Sequence, residues 1–346
     1  MKTITIHDAK DLRIEEHPAP SYAAGEVLIQ MEAGGICGSD LHYYNHGGFG
    51  TVRLKEPMIL GHEVAGRIVG VGDGVSDLNE GDLVAISPSR PSGADRFTEQ
   101  GLQNHALNMR FYGSAMPFPH IQGAFRELLV ADASQCVPAS KLSAGEAAMA
   151  EPLAVVLHAA KQAGDLFGKR VLVTGCGPIG LLAVLVARAA GAVEIVATDI
   201  AQFPLKMAEQ SGADQTINIA QTPNALDPFS ANKGHFDVLF ECSGVASALA
   251  SAVPLLLPCA TIVQVGLGGD MTLPVQAMTA KELIYKGSFR FHHEFAVAVE
   301  MMQAARINVS HLISQTYAMT DAKAAFEIAG DRSKAIKVQL SFNSSD

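Results

Sequence analysis

Val171-Leu172-Val173-Thr174-Gly175-Cys176-Gly177-Pro178-Ile179-Gly180 is the stretch whose reading decides the fold. A β-rich run enters a G-x-G-x-x-G turn, and an apolar helical stretch from Ile179 to Ala190 follows. Glycines cluster in many turns, so the run alone says little. Its surroundings say more. A strand precedes it, a helix follows, and Asp199 closes the next strand nineteen residues beyond Gly180, the pattern of a dinucleotide-binding turn. The three glycines, Gly175, Gly177 and Gly180, serve a tight turn, close approach of a pyrophosphate and close helix–strand packing. The helix start at Pro178 and Ile179 offers unpaired N–H groups to phosphates. Pro178 is tolerated there because its missing donor is not needed. Asp199 should accept from the adenosine ribose 2′-OH and repel a 2′-phosphate. Residues 200–203 contain no Arg, and the nearest cation is Lys206, so NAD is favoured while NADP use stays open.

Outward from that turn, strand-like and helical segments alternate. Glu194–Asp199, Gln215–Asn218 and Asp237–Glu241 read as strands, as does 261–266, which ends at Val265 and Gly266. Lys206 to Ser211 reads as helix. This alternation predicts an α/β fold with a doubly wound parallel sheet over 149–289, and Val265 is a candidate cofactor contact. The first ~150 residues are different. Short runs such as Glu26–Met31, 66–72 and Leu83–Ile86 stand between Gly and Pro punctuation, which predicts an antiparallel or barrel-like β assembly over 1–148. The last part, 290–346, with a helix from Phe295 to Arg306 and a closing strand Lys337–Leu340, returns to that first domain. The polar tail Asn343-Ser344-Ser345-Asp346 reads as frayed.

Composition narrows the function classes. With 25 Lys plus Arg against 35 Asp plus Glu, the net charge is −10 and no basic run suggests nucleic acid. The most apolar stretch, 171–190, contains three Gly, a Pro and Arg188, which reads as buried strand and helix rather than a membrane span. The N-terminus alternates like a strand and lacks a targeting signature. Five cysteines without an even, tightly spaced framework fit free thiols in a reducing compartment, and the expected location is cytoplasmic.

The chemistry points to a metal. Cys37 lies in Gly34-Gly35-Ile36-Cys37-Gly38-Ser39-Asp40-Leu41-His42, and Gly61-His62-Glu63 follows downstream. Thiolate, imidazole and carboxylate suit zinc, and three protein ligands leave a position open for water or substrate. Taken singly, Cys37 would be a small buried hydrophobe, His62 a satisfied histidine and Glu63 a solvated charge. Together, in glycine-flanked turns beside a hydride-carrier fold, they are more specific. Glu151-Pro152-Leu153 adds a fourth candidate at the expected domain junction.

Over essentially its full length the chain resembles the zinc-dependent medium-chain dehydrogenase/reductase family. The resemblance rests on Gly35–Asp40, 61–66, Glu151-Pro152-Leu153-Ala154 and the nucleotide turn. A carboxylate at 151, where alcohol dehydrogenases of the family have cysteine, points to the polyol branch. The resemblance implies a GroES-like, mainly β catalytic domain beside the dinucleotide domain. It implies catalytic zinc on Cys37, His62 and a glutamate: Glu151 in the core set, with Glu63 exchanging or linked through water. Ser39 and His42 would relay the substrate proton; ordinary turn capping is the plainer role for both. Zinc would act as a Lewis acid on a secondary alcohol of a sugar acid or polyol, and hydride would pass to the nicotinamide. Arg290 suits a carboxylate but also orders sites for neutral polyols, so it does not settle substrate charge. It is a candidate for cofactor and substrate contact, and Tyr43, Phe111 and His120 are candidate pocket residues with packing as the plainer role. The resemblance also suggests a homodimer or homotetramer joined through the nucleotide domains.

One lobe departs from the family pattern. Where a structural zinc usually sits on four cysteines, this chain has Ser92, Asp95, Thr98 and Ala106. A tetrathiolate site cannot exist, and Asp95 with His105 makes a poor substitute. One zinc per chain is expected, with the lobe ordered by packing, by a neighbouring subunit, or left mobile. A zinc-free quinone reductase or a non-catalytic nucleotide-binding protein is the competing class, and it has no need of Cys37, His62 and Glu151.

Overall fold

The computed structural model describes residues 1–342, so the tail read as frayed lies outside the described residues. The chain divides into two compact units. The first comprises Met1–Glu151, Phe291–Asp331 and the segment from Lys337 on; the second comprises Pro152–Arg290 with Arg332–Ile336. The boundaries expected at 148/149 and 289/290 fall close to these. Arg332–Ile336 differs, since 290–346 was expected to return whole to the first domain. That excursion is too short to carry a periodicity of its own, so nothing in the pattern marks it.

The second unit is built on a six-stranded, all-parallel sheet. Its order is Gln215–Asn218, Glu194–Asp199, Arg170–Thr174, Phe236–Glu241, Leu256–Gln264, Ile284–Gly287. Val171, Leu172, Val173, Ile195, Val196 and Ala197 are wholly buried, as expected of strands covered on both faces. Strand order reverses between Arg170–Thr174 and Phe236–Glu241, the place where such sheets bind dinucleotides. Gly175 turns with φ +85°, and a Cβ there would meet Ser243 backbone atoms at 2.8 Å. A Cβ on Gly180 would fall 1.8 Å from the Gly175 carbonyl. The helix Pro178–Ala189 then starts on Gly177 with no side-chain cap, which leaves its first N–H groups for a ligand. The strand expected at 261–266 begins earlier, at Leu256, and ends at Gln264, because the Val265 and Gly266 N–H groups both turn to the Glu241 carbonyl.

The first unit centres on a seven-stranded, mostly antiparallel sheet. Its long members, Glu26–Gly35 and Glu63–Val71, pair so that Gly35 stands opposite Glu63. Lys337–Ser341 pairs with the same end of Glu26–Gly35, with Gln339 opposite Gly35. That register gathers Ile36, Cys37, Glu63 and Lys337, residues up to 301 positions apart, at one end of the sheet. Glycine makes the approach feasible, since a Cβ on Gly35 would lie 2.2 Å from Glu63 Oε2. Among the described residues, no helix is long and apolar enough to cross a membrane.

Candidate metal and cofactor sites

Cys37, His62 and Glu63 place one ligand atom each within 4.8 Å of one another, the one such group of three or more among the described residues. Cys37 precedes the helix Gly38–His46 at its cap position. Its N–H donates to Asp40 Oδ2 at 3.0 Å, while Asp40 Oδ1 accepts the Gly61 N–H at 3.2 Å. The fully buried Asp40 carboxylate thus pins the two ligand-bearing turns together. Lys337 Nζ donates to both oxygens of Glu63, at 2.7 and 2.6 Å, and to the Ile36 carbonyl at 3.1 Å. His62 and Glu151 are each 5% exposed and Glu63 only 1%. Phe111 lays its ring 5.7 Å from the imidazole of His62 and 6.4 Å from Phe291.

This cluster holds more negative capacity than its single lysine answers. Burial, and then the Glu63 charge, push the Cys37 thiol up to about 12. Burial likewise raises Glu151 to about 8; His62 opposes the rise, and Glu63 and Cys37 add to it. Burial would lower Lys337, but the charges of Glu63 and Cys37 outweigh it and the ammonium is held above its ordinary value. His62 Nδ1 is buried without a hydrogen-bond partner, 3.9 Å from Asp40 Oδ1. A divalent cation would relieve each of these penalties at once, and sulfur, nitrogen and oxygen donors are the zinc set. The residues fit the ion.

Sequence placed Glu151 in the core ligand set and Glu63 as the exchanging partner. Here Glu63 stands at ligand distance from Cys37 and His62, while Glu151 lies outside that tight group, buried and electrostatically coupled to it. Ser39 is half-buried and turns its backbone N–H to the Cys37 thiol. His42 lies on the exposed side of the same helix, and burial together with His46 lowers its pKa. Tyr43 is buried, its hydroxyl accepting the Ala115 N–H at 3.1 Å. His120 is a loop pin: Nε2 accepts the Lys55 N–H, Nδ1 meets the Pro117 carbonyl, and its own N–H goes to Glu56. Sequence singled out neither Asp40, which sat inside the quoted motif, nor Lys337, whose signal was a cation opening a closing strand with no other charge.

The lobe without cysteines is ordered by its own hydrogen bonds. The Asp95 carboxylate accepts N–H groups from Phe97 at 2.8 Å, Thr98 at 3.1 Å and Leu107 at 2.9 Å. Thr98 Oγ1 accepts the Asp95 N–H and donates to its carbonyl. Ser92 Oγ donates to the Asn108 carbonyl. Three of the four positions where cysteines were missed hold the lobe by ordinary polar contacts.

In the second unit Asp199 is buried, accepting the Cys176 N–H at 2.7 Å and the Ala201 N–H at 2.9 Å. It locks the glycine turn to its strand, and a carboxylate with about four acceptor sites keeps capacity for a ribose hydroxyl. A cavity of about 630 Å³ opens among Ala201, Gln202, Phe203, Lys206, Glu209 and Ser333. Arg290 takes a left-handed conformation, φ 54°, with its guanidinium 5.0 Å from the Phe289 ring centroid.

Comparison with known proteins gives the family. The family profile for the alcohol dehydrogenase GroES-like domain matches residues 23–141, and that for zinc-binding dehydrogenase matches 178–304. The chain is 44% identical to the L-idonate 5-dehydrogenase (NAD(P)(+)) of Escherichia coli K12 over 91% of this chain and 92% of that protein. It is 36% identical to sorbitol dehydrogenase of Gallus gallus over 99% and 97%. The crystal structure of the Escherichia coli L-idonate 5-dehydrogenase superposes with a TM-score of 0.94 at 41% identity, covering 98% of this chain and 97% of that one. The chain belongs to the zinc-binding dehydrogenases of the medium-chain dehydrogenase/reductase family, with a Rossmann nucleotide domain and a GroES-like domain.

Proposed function

We propose that the protein oxidises a secondary alcohol of a sugar acid or polyol with NAD, L-idonate to 5-dehydro-D-gluconate being the first candidate. The observation that carries this reading is the group of half-buried Cys37 with buried His62 and Glu63, in a chain that also bears the dinucleotide turn. The 44% identity to an L-idonate dehydrogenase supports the particular substrate. Sorbitol or xylitol is the second reading, favoured by the 36% identity to a sorbitol dehydrogenase over nearly the whole chain. L-Threonine, oxidised by the same machinery, is a further option. We assign one zinc per chain, on Cys37, His62 and a glutamate, because the lobe that would take a second ion is already satisfied by Asp95.

Zinc held by these residues would supply a Lewis acid that lowers the pKa of an alcohol or water hydroxyl towards neutrality, to about 7 for water. Ser39, beside Cys37, accepts the alcohol proton by hydrogen bond. His42, three residues on, passes it to solvent, and its lowered pKa keeps the ring neutral and able to accept near pH 7. Phe111 shields the His62 side of the pocket from water. Gly177, Pro178 and Ile179 present the helix start to the pyrophosphate, and Asp199 takes the ribose hydroxyls and disfavours a 2′-phosphate. Val265 and Arg290 are assigned to the cofactor, and Tyr43 and Arg290 to ordering the substrate pocket.

We assign the working form to a homodimer or homotetramer in the cytoplasm. All four residues of the edge strand Ile284–Gly287 are exposed, and an open edge of that kind is a template for pairing with a second copy. Turnover of L-idonate, sorbitol, xylitol and L-threonine, followed at the nicotinamide absorbance band and combined with elemental analysis, tests the reading. No reduction with L-idonate removes that substrate, and protein prepared without zinc that still turns over removes the metal mechanism.

A further inference from the structure

The residue that ties the second unit together at its strand-order switch point is Glu241, the last residue of Phe236–Glu241. It is wholly buried. Its Oε1 accepts the Ser243 N–H at 2.9 Å, the Ser243 hydroxyl, and a longer contact from Thr174 Oγ1 at 3.4 Å. Its Oε2 accepts the Gly244 N–H at 3.1 Å and the Gln264 side-chain amide. Gln264 also donates to the Gly266 carbonyl at 2.8 Å and accepts from Tyr285 at 3.2 Å. The Glu241 main-chain carbonyl takes the Val265 and Gly266 N–H groups.

Three neighbouring strands therefore end on one carboxylate: Arg170–Thr174 through Thr174, Phe236–Glu241 through Ser243 and Gly244, and Leu256–Gln264 through Gln264. The loops that leave them are packed without slack. A Cβ on Gly175 would press on Ser243 at 2.8 Å, and one on Gly266 would lie 2.3 Å from the Gly244 nitrogen. The partners of the carboxylate are all donors, two of them backbone N–H groups with no other option, which is the set an ionised, acceptor-only carboxylate requires. Its charge is felt nearby. The Cys242 thiol is pushed up by burial and then by Glu241, and the Tyr285 hydroxyl is pushed up by the same two causes.

A buried polar group with every acceptor occupied could be a purely structural rivet. Its place argues for more. Dinucleotides cross doubly wound sheets outside the carboxyl ends of the strands at the switch point. The oxidised nicotinamide carries a positive charge that the reduced form lacks. A fixed anion beneath that crossing, shielded from water and balanced by dipoles rather than by a cation, distinguishes the two forms. We propose that Glu241 is a positioning residue of the cofactor cleft, holding the loops after the three central strands in register and biasing the cleft towards the oxidised cofactor. This deepens the assignment of NAD to the second unit and rests on it.

The test measures dissociation constants of NAD and NADH for the zinc-loaded wild type, Glu241→Gln and Gln264→Leu. Calorimetry serves for NAD. The fluorescence of NADH itself, excited at its own nicotinamide band, serves for the reduced form. Glu241→Gln should weaken NAD more than NADH, changing the ratio of the two constants by about three- to tenfold. That is the scale for a unit charge on the order of 10 Å away in a partly screened interior. Gln264→Leu removes the tie to Gly266 and one donor to the carboxylate, but Ser243, Gly244 and Thr174 still hold the charge, so it should weaken both forms alike and leave the ratio unchanged. An unchanged ratio in Glu241→Gln overturns the bias, and unchanged affinities in Gln264→Leu overturn the positioning. If Glu241→Gln does not fold, Tyr285→Lys reads the bias from the exposed side of Gln264: a cation there offsets the Glu241 charge and should shift the ratio towards NADH, and an unchanged ratio overturns it. Wild-type protein that binds neither cofactor would instead remove the nucleotide assignment itself.

Discussion

The metal cluster and the cysteine-free lobe are two places in the first unit where a carboxylate gathers polar groups, and they solve opposite problems. In the lobe, Asp95 is surrounded by donors: three backbone N–H groups converge on it, the one from Leu107 contributing most to holding its carboxyl below the usual range. Nothing there asks for a cation. In the cluster, Glu63, Glu151 and Cys37 crowd together around Lys337, and among the described residues His62 Nδ1 has no hydrogen-bond partner. Burial without enough donors is what makes a metal site, whereas a similar residue type given enough N–H groups makes a metal-free joint.

Cys37→Ala tests the contrast most severely. With the thiolate gone, zinc content should fall towards zero and turnover by about a thousandfold or more, since the Lewis acid supplies several kcal/mol to the reaction. NAD binding should stay at the wild-type level, because the dinucleotide turn belongs to the second unit. Elemental analysis, turnover and cofactor titration on the same preparation check all three, and wild-type-like turnover would refute the assignment.

Lys337→Met is the next step down. The ammonium is 2% exposed and its loss strands Glu63 as a buried charge, so metal-free protein should lose about 3 to 5 kcal/mol of stability. Zinc should restore part of that loss by taking over the role of the missing cation. Denaturant unfolding with and without chelator measures both. A variant that zinc does not rescue would mean that the ion and Lys337 do not share the field of Glu63.

Much of the nucleotide unit was legible in the sequence. The segments 171–174, 194–199 and 215–218 are short β-rich runs between turns, and the glycine pattern between the first two has one physical use. The ligand residues were legible as types, but their roles were not. Sequence distance hid Lys337 from Glu63, because only the antiparallel register of Lys337–Ser341 on Glu26–Gly35 brings them together. The balance between Glu63 and Glu151 depends on that lysine, so spacing could not weigh them. The lobe was legible only as an absence of cysteine. That Asp95 would bind backbone groups as far away as Leu107 depends on loop closure, which local propensity does not encode.

The lobe itself offers a finer test. Asp95→Ala should open residues 95–107 to amide exchange and proteolysis while leaving zinc content and turnover near wild type. Stripping zinc with a chelator should do the reverse, leaving exchange in the lobe unchanged.

The smallest expected effect is a pH dependence confined to the lobe. Backbone donors, Leu107 first, lower the carboxyl of Asp95 against an opposing contribution from burial. A group whose folded pKa lies below its unfolded value of about 3.9 stabilises fully above that value, and its contribution fades as pH falls through the folded pKa. Exchange protection at Phe97, Thr98 and Leu107 should therefore stay flat from neutral pH down to about 4 and decline only below it. The decline should be absent in Asp95→Asn, whose side chain does not titrate and still offers an oxygen to part of the N–H set. Protection in wild type that falls between pH 7 and 5 would show that another group holds the lobe. The contrast with the metal cluster would then lose its simplest explanation.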